Sequence, residues 1–463
     1  MKSSKIFIPV IVIILLLSTV IAAAQSPAEF KQRREAVLEK MEPNSVLVLR
    51  SNEASANFEN PRIGGYFYYL TGINETNSCL ILRGKNTRPL PPARSGRHYQ
   101  PPPSELLFIT PVNPARADWD APGLGLDRAK DEMGFENVKP FGEFDTYLGQ
   151  LLLDNPEVVY MEVKKSNSLE GPLTEDEQLL KMARDKGAHF TVQSPSILLT
   201  QMVQIKSSAE IAIVRKAVEI TAEAHQTVMR SMQPGLYEYQ ADAIIQYIYR
   251  INGAPGVGFP SIIGSGPNSV VLHWMENSRK MMDGDLVVVD IGAEYGLYWA
   301  DITRTFPVNG TFNERQKEIY EIVLKANEEA IKMVAPGVAF TDITKKAEET
   351  LANGMLQVGL IKDVKDFRKY YYHGLGHHIG LINIPGNEIT TLEPGMVITI
   401  EPGIYIREEA LGIRIEDDVL VTEQGYEVLS KEVPKKIPEI EKLMQEKGLD
   451  IKNYIINRED DFR

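Results

Sequence analysis

The sequence predicts an α/β protein of two domains, the second built from a duplicated α/β unit whose halves pack about a pseudo-twofold axis. Three observations carry this. Short β-rich runs alternate with helical and turn-rich stretches over roughly the first 195 residues, a long amphipathic helical pattern begins at Ser207, and two stretches beyond it repeat. The 463 residues, 43% hydrophobic and 24% charged, supply enough apolar material for more than one core.

Residues 1–24 have the form of a secretory signal peptide: Lys2 and Lys5 precede an apolar run, and Ala22, Ala23 and Ala24 precede Gln25. Pro9 and the shortness of the run argue against a stable membrane span, so the expected mature chain begins near Gln25 and is exported, to the periplasm or beyond the cell. An N-terminal α/β domain is expected over 25–195, with strands at 44–49, 79–82, 106–110 and 158–161. Between them, residues 86–105 are rich in Pro, Arg and Ser and predict an exposed loop without a core of its own. The one cysteine, Cys79, has no partner for an internal disulfide, so packing and any bound metal must supply stability.

The second domain is expected over 196–436. Its first helix is capped by Ser207 or Ser208 and closes before Pro234 and Gly235; residues 437–463 predict a polar C-terminal helix and tail. Within it, QPGLYEYQADAIIQYI (233–248) resembles APGVAFTDITKKAEETL (335–351), and DGDLVVVDIGAEY (283–295) resembles EPGMVITIEPGIY (393–405). Two copies are too few for a solenoid and fit a duplication.

Each copy places a carboxylate at the same point. Asp290 and Glu401 both lie six residues after a turn glycine, Gly284 or Gly395, and each ends an apolar β-run. A buried strand that ends in an acid is costly unless the charge is paired or meets a cation, so equivalent acids in both halves suggest a site on the shared axis. Either acid alone would serve equally as a strand-end cap. Asp301 in ADITRTF (300–306) and Glu416 in GIRIEDDV (412–419) join them, each near an arginine, Arg304 or Arg414; a surface ion pair is the plain alternative for Glu416. In HGLGHHIGL (373–381), His373 and His377 are four apart, but Gly374, Gly376 and Gly380 oppose a regular helix, and no HExxH occurs. GSGPNS (264–269) lacks the lysine of a phosphate loop and is expected to be a turn. The net charge of −13 would repel nucleic acid and anionic membrane surfaces.

The order Asp290, Asp301, His377, Glu401, Glu416, in the contexts VDIG, DITRT, HGLGH, IEPG and RIED, resembles the pita-bread-fold metallopeptidases. GYFYYLTGINETNSCLIL (65–82) and LFITPVNPARADWD (107–120) further resemble the N-terminal domain of the Xaa-Pro aminopeptidase (aminopeptidase P) and prolidase branch. The resemblance spans nearly all of the mature chain. It implies that Asp290 chelates one of two divalent ions, that His377 and Glu401 hold the other, and that Asp301 and Glu416 bridge them. Four converging carboxylates would repel one another without such cations. Oxygen-rich ligation with one imidazole suits Mn²⁺, with Co²⁺, Fe²⁺ or Zn²⁺ as alternatives. The implied reaction releases the N-terminal residue from peptides with proline second, by a water that the two cations activate. Glu401 then passes a proton to the leaving nitrogen, and His273 in LHWMEN (272–277) and His373 steady the oxyanion.

Relatives usually carry a further histidine after the GHxxGL stretch, where this chain reads Ile382, Asn383, Ile384, Pro385; aligned without a gap, the lost imidazole falls at Ile384. Two alternatives therefore stand beside the main expectation: a prolidase restricted to Xaa-Pro dipeptides, and a catalytically impaired metal- and peptide-binding homologue. Proline-containing peptides are the expected partners, and association into a homo-oligomer is left open.

Overall fold

The fold is that of a computed structural model, which describes residues 25–51, 64–85, 103–116, 118–119, 121–164 and 171–451. The expected signal peptide, residues 86–102 of the expected loop and the tail from 452 lie outside the described residues.

Six strands form the N-terminal sheet, in the spatial order Val138–Pro140, Glu105–Ile109, Cys79–Arg83, Ser45–Arg50, Val158–Met161, Thr191–Gln193. The central four match the sequence expectation to within a residue or so. Glu105, expected in the loop, instead opens a strand, opposite Leu82 and ion-paired to Arg34. The two remaining strands are three-residue edges without a fully buried residue, too short to leave a period-2 signal.

The sheet is covered on both faces, which is why its central strands are almost continuously apolar. Leu47, Leu49, Leu80, Leu82 and Leu107 point one way, into a core shared with Val37, Phe67 and the second domain. Val46, Val48, Cys79, Ile81 and Phe108 point the other way, against residues of the helices Phe144–Leu153 and Glu175–Asp185. Polar contacts tie the first face to the second domain. Gln25 donates to the Tyr298 hydroxyl at 2.9 Å, and Arg33 pairs with Glu210 at 2.9 Å.

The second domain opens with the helices Ser196–Gln204 and Ser208–Ser231. Ser207 caps the latter: its hydroxyl accepts from the Glu210 amide, and the Glu210 carboxylate accepts from the Ser207 amide. The duplication is visible in three dimensions. Helices Ser208–Ser231 and Glu238–Ile251 pack together in the first half, and Glu314–Ile331 and Phe340–Gln357 in the second. Equivalent isolated bridges, Tyr237 to Lys280 and Ala339 to Thr391, anchor the start of each half's second helix. Gly284 and Gly395 both adopt positive φ, 84° and 90°, at the turn that feeds the acid-bearing strand.

Leu286–Ile291 lies between Ile302–Pro307 and Ile262–Ser265 in the first half's antiparallel sheet. Its counterpart, Val397–Ile400, lies between His377–His378 and Asp417–Thr422. The C-terminal helix, Ile437–Met444, is polar on one face only: Ile437, Ile440 and Leu443 are buried, and the helix packs on Ser208–Ser231. No helix among the described residues is long and apolar enough to cross a membrane.

Candidate metal centre

All seven residues singled out from the sequence, His273, Asp290, Asp301, His373, His377, Glu401 and Glu416, line one cavity of about 610 Å³. Strand ends deliver the acids. Asp290 is the penultimate residue of Leu286–Ile291, Glu401 follows Val397–Ile400, Asp301 precedes Ile302–Pro307, and Glu416 sits between Leu411–Arg414 and Asp417–Thr422. The glycine-interrupted histidine segment is extended, with His377 in a two-residue strand. Ligand atoms of Asp301, His377 and Glu416 all lie within 4.8 Å of one another; His377 Nε2 is 3.4 Å from Asp301 and 3.9 Å from Glu401.

Electrostatics make the cluster unfavourable without added positive charge. Burial pushes the carboxyls of Asp301, Glu401 and Glu416 up, and their mutual repulsion adds to it. For His377 burial acts downward, but the hydrogen bond and charge of Asp301, with Glu401, outweigh it and drive the ring well up. A proton is thereby drawn to the place where a cation would compensate the acids. Asp290 shows the same deficit: Oδ2 accepts from Arg414 at 2.6 Å, while buried Oδ1 has no hydrogen-bond partner among the described residues.

The surroundings orient these groups. His377 Nδ1 lies 3.0 Å from the His378 carbonyl, a contact that requires Nδ1–H and leaves Nε2 as the ring nitrogen facing the acids, the one that a cation would claim in place of the proton. Thr303 donates to Glu416 at 2.6 Å, and Asp418 accepts from the Asp301 amide at 3.1 Å.

Two family profiles match the chain: metallopeptidase family M24 over residues 212–423, and the N-terminal domain of aminopeptidase P over 30–160. The Xaa-Pro aminopeptidase of Escherichia coli K12 is 35% identical over 454 residues, covering 90% of this chain and 98% of that protein. The chain belongs to the aminopeptidase P family. Solved aminopeptidase P structures from E. coli agree: one with the inhibitor Pro-Leu superposes with a TM-score of 0.77 at 33% identity, covering 91% of this chain and 99% of that one. Another, zinc-substituted and in complex with product, gives 0.78 at 33% identity with the same coverage. The Xaa-Pro aminopeptidase 3 of Rattus norvegicus is 32% identical over 401 residues, covering 81% of this chain and 75% of that protein. The protein is thus a hydrolase, a metal-dependent aminopeptidase of the pita-bread type.

As in any aminopeptidase P, the donor set must suit divalent ions, and here it does: hard carboxylate oxygens, one correctly turned imidazole and an orphaned Asp290 oxygen converge without a thiolate. Arg414 does not hold its chain neighbour Glu416. Its guanidinium reaches Asp290, the Tyr405 hydroxyl and Thr303 rather than Glu416, which Thr303 holds instead. His373 has both ring nitrogens engaged, Nδ1 with the Gly374 carbonyl at 2.8 Å and Nε2 with the Tyr405 hydroxyl at 2.9 Å. Burial, then the Arg414 charge, holds this ring neutral, down at about 3.

The side chain of Ile384, where an ungapped alignment puts the lost family histidine, does not face the cavity. His377 pairs with Pro385 and His378 with Ile384, so the pleat sends Ile384 to the far side with His378, into the core. Asn383 and Pro385 face the cavity instead.

Sequence reasoning missed Glu238. This fully buried carboxylate accepts from the Ser265 amide and hydroxyl, the Asn268 amide group, the Trp274 indole and the Arg279 amide. It thereby knots residues 265–279, the segment that carries His273 to the cavity. GSGPNS, expected to be a turn, is instead the end of the strand Ile262–Ser265 running into a 3-10 helix over Gly266–Val270, and Glu238 holds it. Partners 27 to 41 residues away left no local signal.

Proposed function

We propose that this protein removes the N-terminal residue from peptides whose second residue is proline, using two divalent ions, with Mn²⁺ the best match to the ligand chemistry. In this reading Asp290 holds one ion, His377 and Glu401 the other, and Asp301 and Glu416 bridge. The observation that carries it is the convergence of four carboxylates, three of them pushed up by burial, with one oriented imidazole on a single open cavity. When bound, the cations would activate a water and polarise the scissile carbonyl.

The chain's own residues do the rest. Glu401 takes up a proton and delivers it to the departing nitrogen, a role supported by its place on the cavity lining beside His373 and His377. His273, exposed on the segment that Glu238 knots, is the imidazole available to the developing oxyanion, whereas His373 first orders Tyr405 and Arg414. The names of relatives from E. coli, Haemophilus influenzae and Rattus norvegicus, all Xaa-Pro aminopeptidases, support the proline preference. Residues 1–24 would direct export, which N-terminal sequencing of the protein recovered from outside the cytoplasm would test.

The experiment for the activity is metal analysis of the purified protein together with cleavage of Xaa-Pro-Yaa, Xaa-Ala-Yaa and Xaa-Pro, with and without added Mn²⁺. Two metals per chain and selective cleavage of Xaa-Pro-Yaa are expected. Cleavage of Xaa-Pro alone would make it a dipeptidase, and no cleavage in the metal-loaded state would remove the reading.

A further inference from the structure

Asn383 stands on the cavity rim, next to Pro385 and Gly386 and on the same side of the pleat as His377. Its side chain is oriented by Trp299, whose indole Nε1 lies 3.1 Å from Asn383 Oδ1. An indole N–H can only donate, so the contact fixes which end of the amide is oxygen. Nδ2, with two N–H donors, is left as the other end, and no acceptor among the described residues engages it. Trp299 is itself held firmly. Its backbone amide donates to the Gly380 carbonyl at 3.2 Å, and its side chain lies so close over Gly258 that an added Cβ there would come within 2.5 Å of it. The result is an amide donor pair, pre-aimed by a rigid neighbour, at the edge of a cavity otherwise rich in carboxylate acceptors.

Building on the peptide-site reading above, we infer that Asn383 is a substrate-binding residue whose Nδ2 donates to a main-chain carbonyl of the peptide in the cavity, with Trp299 as its positioning residue. A carbonyl is the group that fits: it only accepts, it is present in every peptide, and it is neutral, so the nearby acids do not repel it. Because an amide does not titrate, this contact holds across the working pH range of the enzyme.

The test measures binding of the dipeptide Pro-Leu to the metal-loaded full-length protein by calorimetry, which does not depend on turnover. Asn383→Ala should weaken binding roughly three- to tenfold, the size of one neutral hydrogen bond. Asn383→Asp separates the readings. It keeps the oxygen that Trp299 needs but replaces the donor with a carboxylate, so it should bind more weakly than Asn383→Ala. Trp299→Phe should give a smaller loss, and adding it to Asn383→Ala should change nothing further. Metal content and melting temperature should match the wild type in all four. The inference is overturned if Asn383→Asp binds as the wild type does, if Asn383→Ala has no effect, or if wild-type protein with metal does not bind Pro-Leu. Wild-type cleavage of Xaa-Pro-Yaa, measured in parallel, tests the proposed activity separately.

Discussion

Glu416 and Asp417 are neighbours in the chain, both buried, yet they face opposite ways and live in opposite electrostatic worlds. Glu416 looks into the cavity with one hydroxyl donor, Thr303, and burial followed by the charges of Asp301 and Glu401 pushes its carboxyl far up. Asp417 looks back into the fold. Burial alone would raise it too, but Arg304 at 2.7 Å and Lys435 at 2.6 Å, with the Ser430 hydroxyl, hold it well below the ordinary carboxylate range. One acid has its counter-charge built into the chain; the other lacks it. Burial by itself therefore does not mark a ligand: what marks Glu416 is that it lines the cavity, buried, beside other acids and without a counter-charge of its own.

The contrast can be broken most strongly at Glu416. Glu416→Ala should drop hydrolysis by about 10³-fold or more and take bound metal below two per chain, as read by elemental analysis and peptide cleavage. Normal metal content with normal rate would remove it from the ligand set. Asp417→Ala should do the reverse: it strands Arg304 and Lys435 without their partner and costs about 3–5 kcal/mol in denaturant unfolding, while protein that folds keeps both metals.

Removing the metal should invert the pH response of stability. In the metal-free protein Asp301 and Glu401 sit up at about 6 and about 7, so the folded state retains protons that the unfolded chain has already released. Stability then falls as pH rises from about 4, the unfolded carboxyl value, through those folded values. Asp417, held low, acts in the opposite sense, its contribution being lost only as pH falls below about 4. The buried neutral rings of His225, His373 and His378 oppose this trend below about pH 6.5, so the clean window lies above it. Urea midpoints from about pH 6.5 to 8 should decline without metal and flatten when Mn²⁺ is added, and equal curves would argue against an uncompensated cluster.

Smaller effects sharpen the picture. Thr303→Val removes the donor to Glu416 and a contact of Arg414, and metal affinity should weaken by about 10-fold to 100-fold, as for other groups that orient ligands. Ile384→His should give no gain in turnover and lose about 1–3 kcal/mol of stability, because it puts an imidazole into the core beside His378. A clear rise in kcat would mean that the loop can turn that residue toward the cavity.

What the sequence made legible follows from where each signal lies. The duplicated glycine-to-acid spacing and the central strands are local patterns, so the two halves, the inner sheet and the seven candidate site residues could be named beforehand. Partner choice is non-local. Nothing near Arg414 tells that its guanidinium spans to Asp290 rather than to Glu416 two residues away, and Glu238 collects donors from a segment that only folding brings to it. Strand parity was the subtler gap. A one-residue difference decides whether Ile384 or Asn383 faces the cavity, and only the pairing of His377 with Pro385 fixes it.

Cys79 lies in the core on the second face of the N-terminal sheet, 1% exposed, and burial lifts its thiol to about 12. Without thiolate or access it is inert to alkylating reagents while the sheet is closed. Labelling at this single sulfur consequently clocks the opening of the N-terminal domain, and metal release clocks the other domain. The wild-type molecule thus carries two separate reporters of its own unfolding, with no probe to be engineered in.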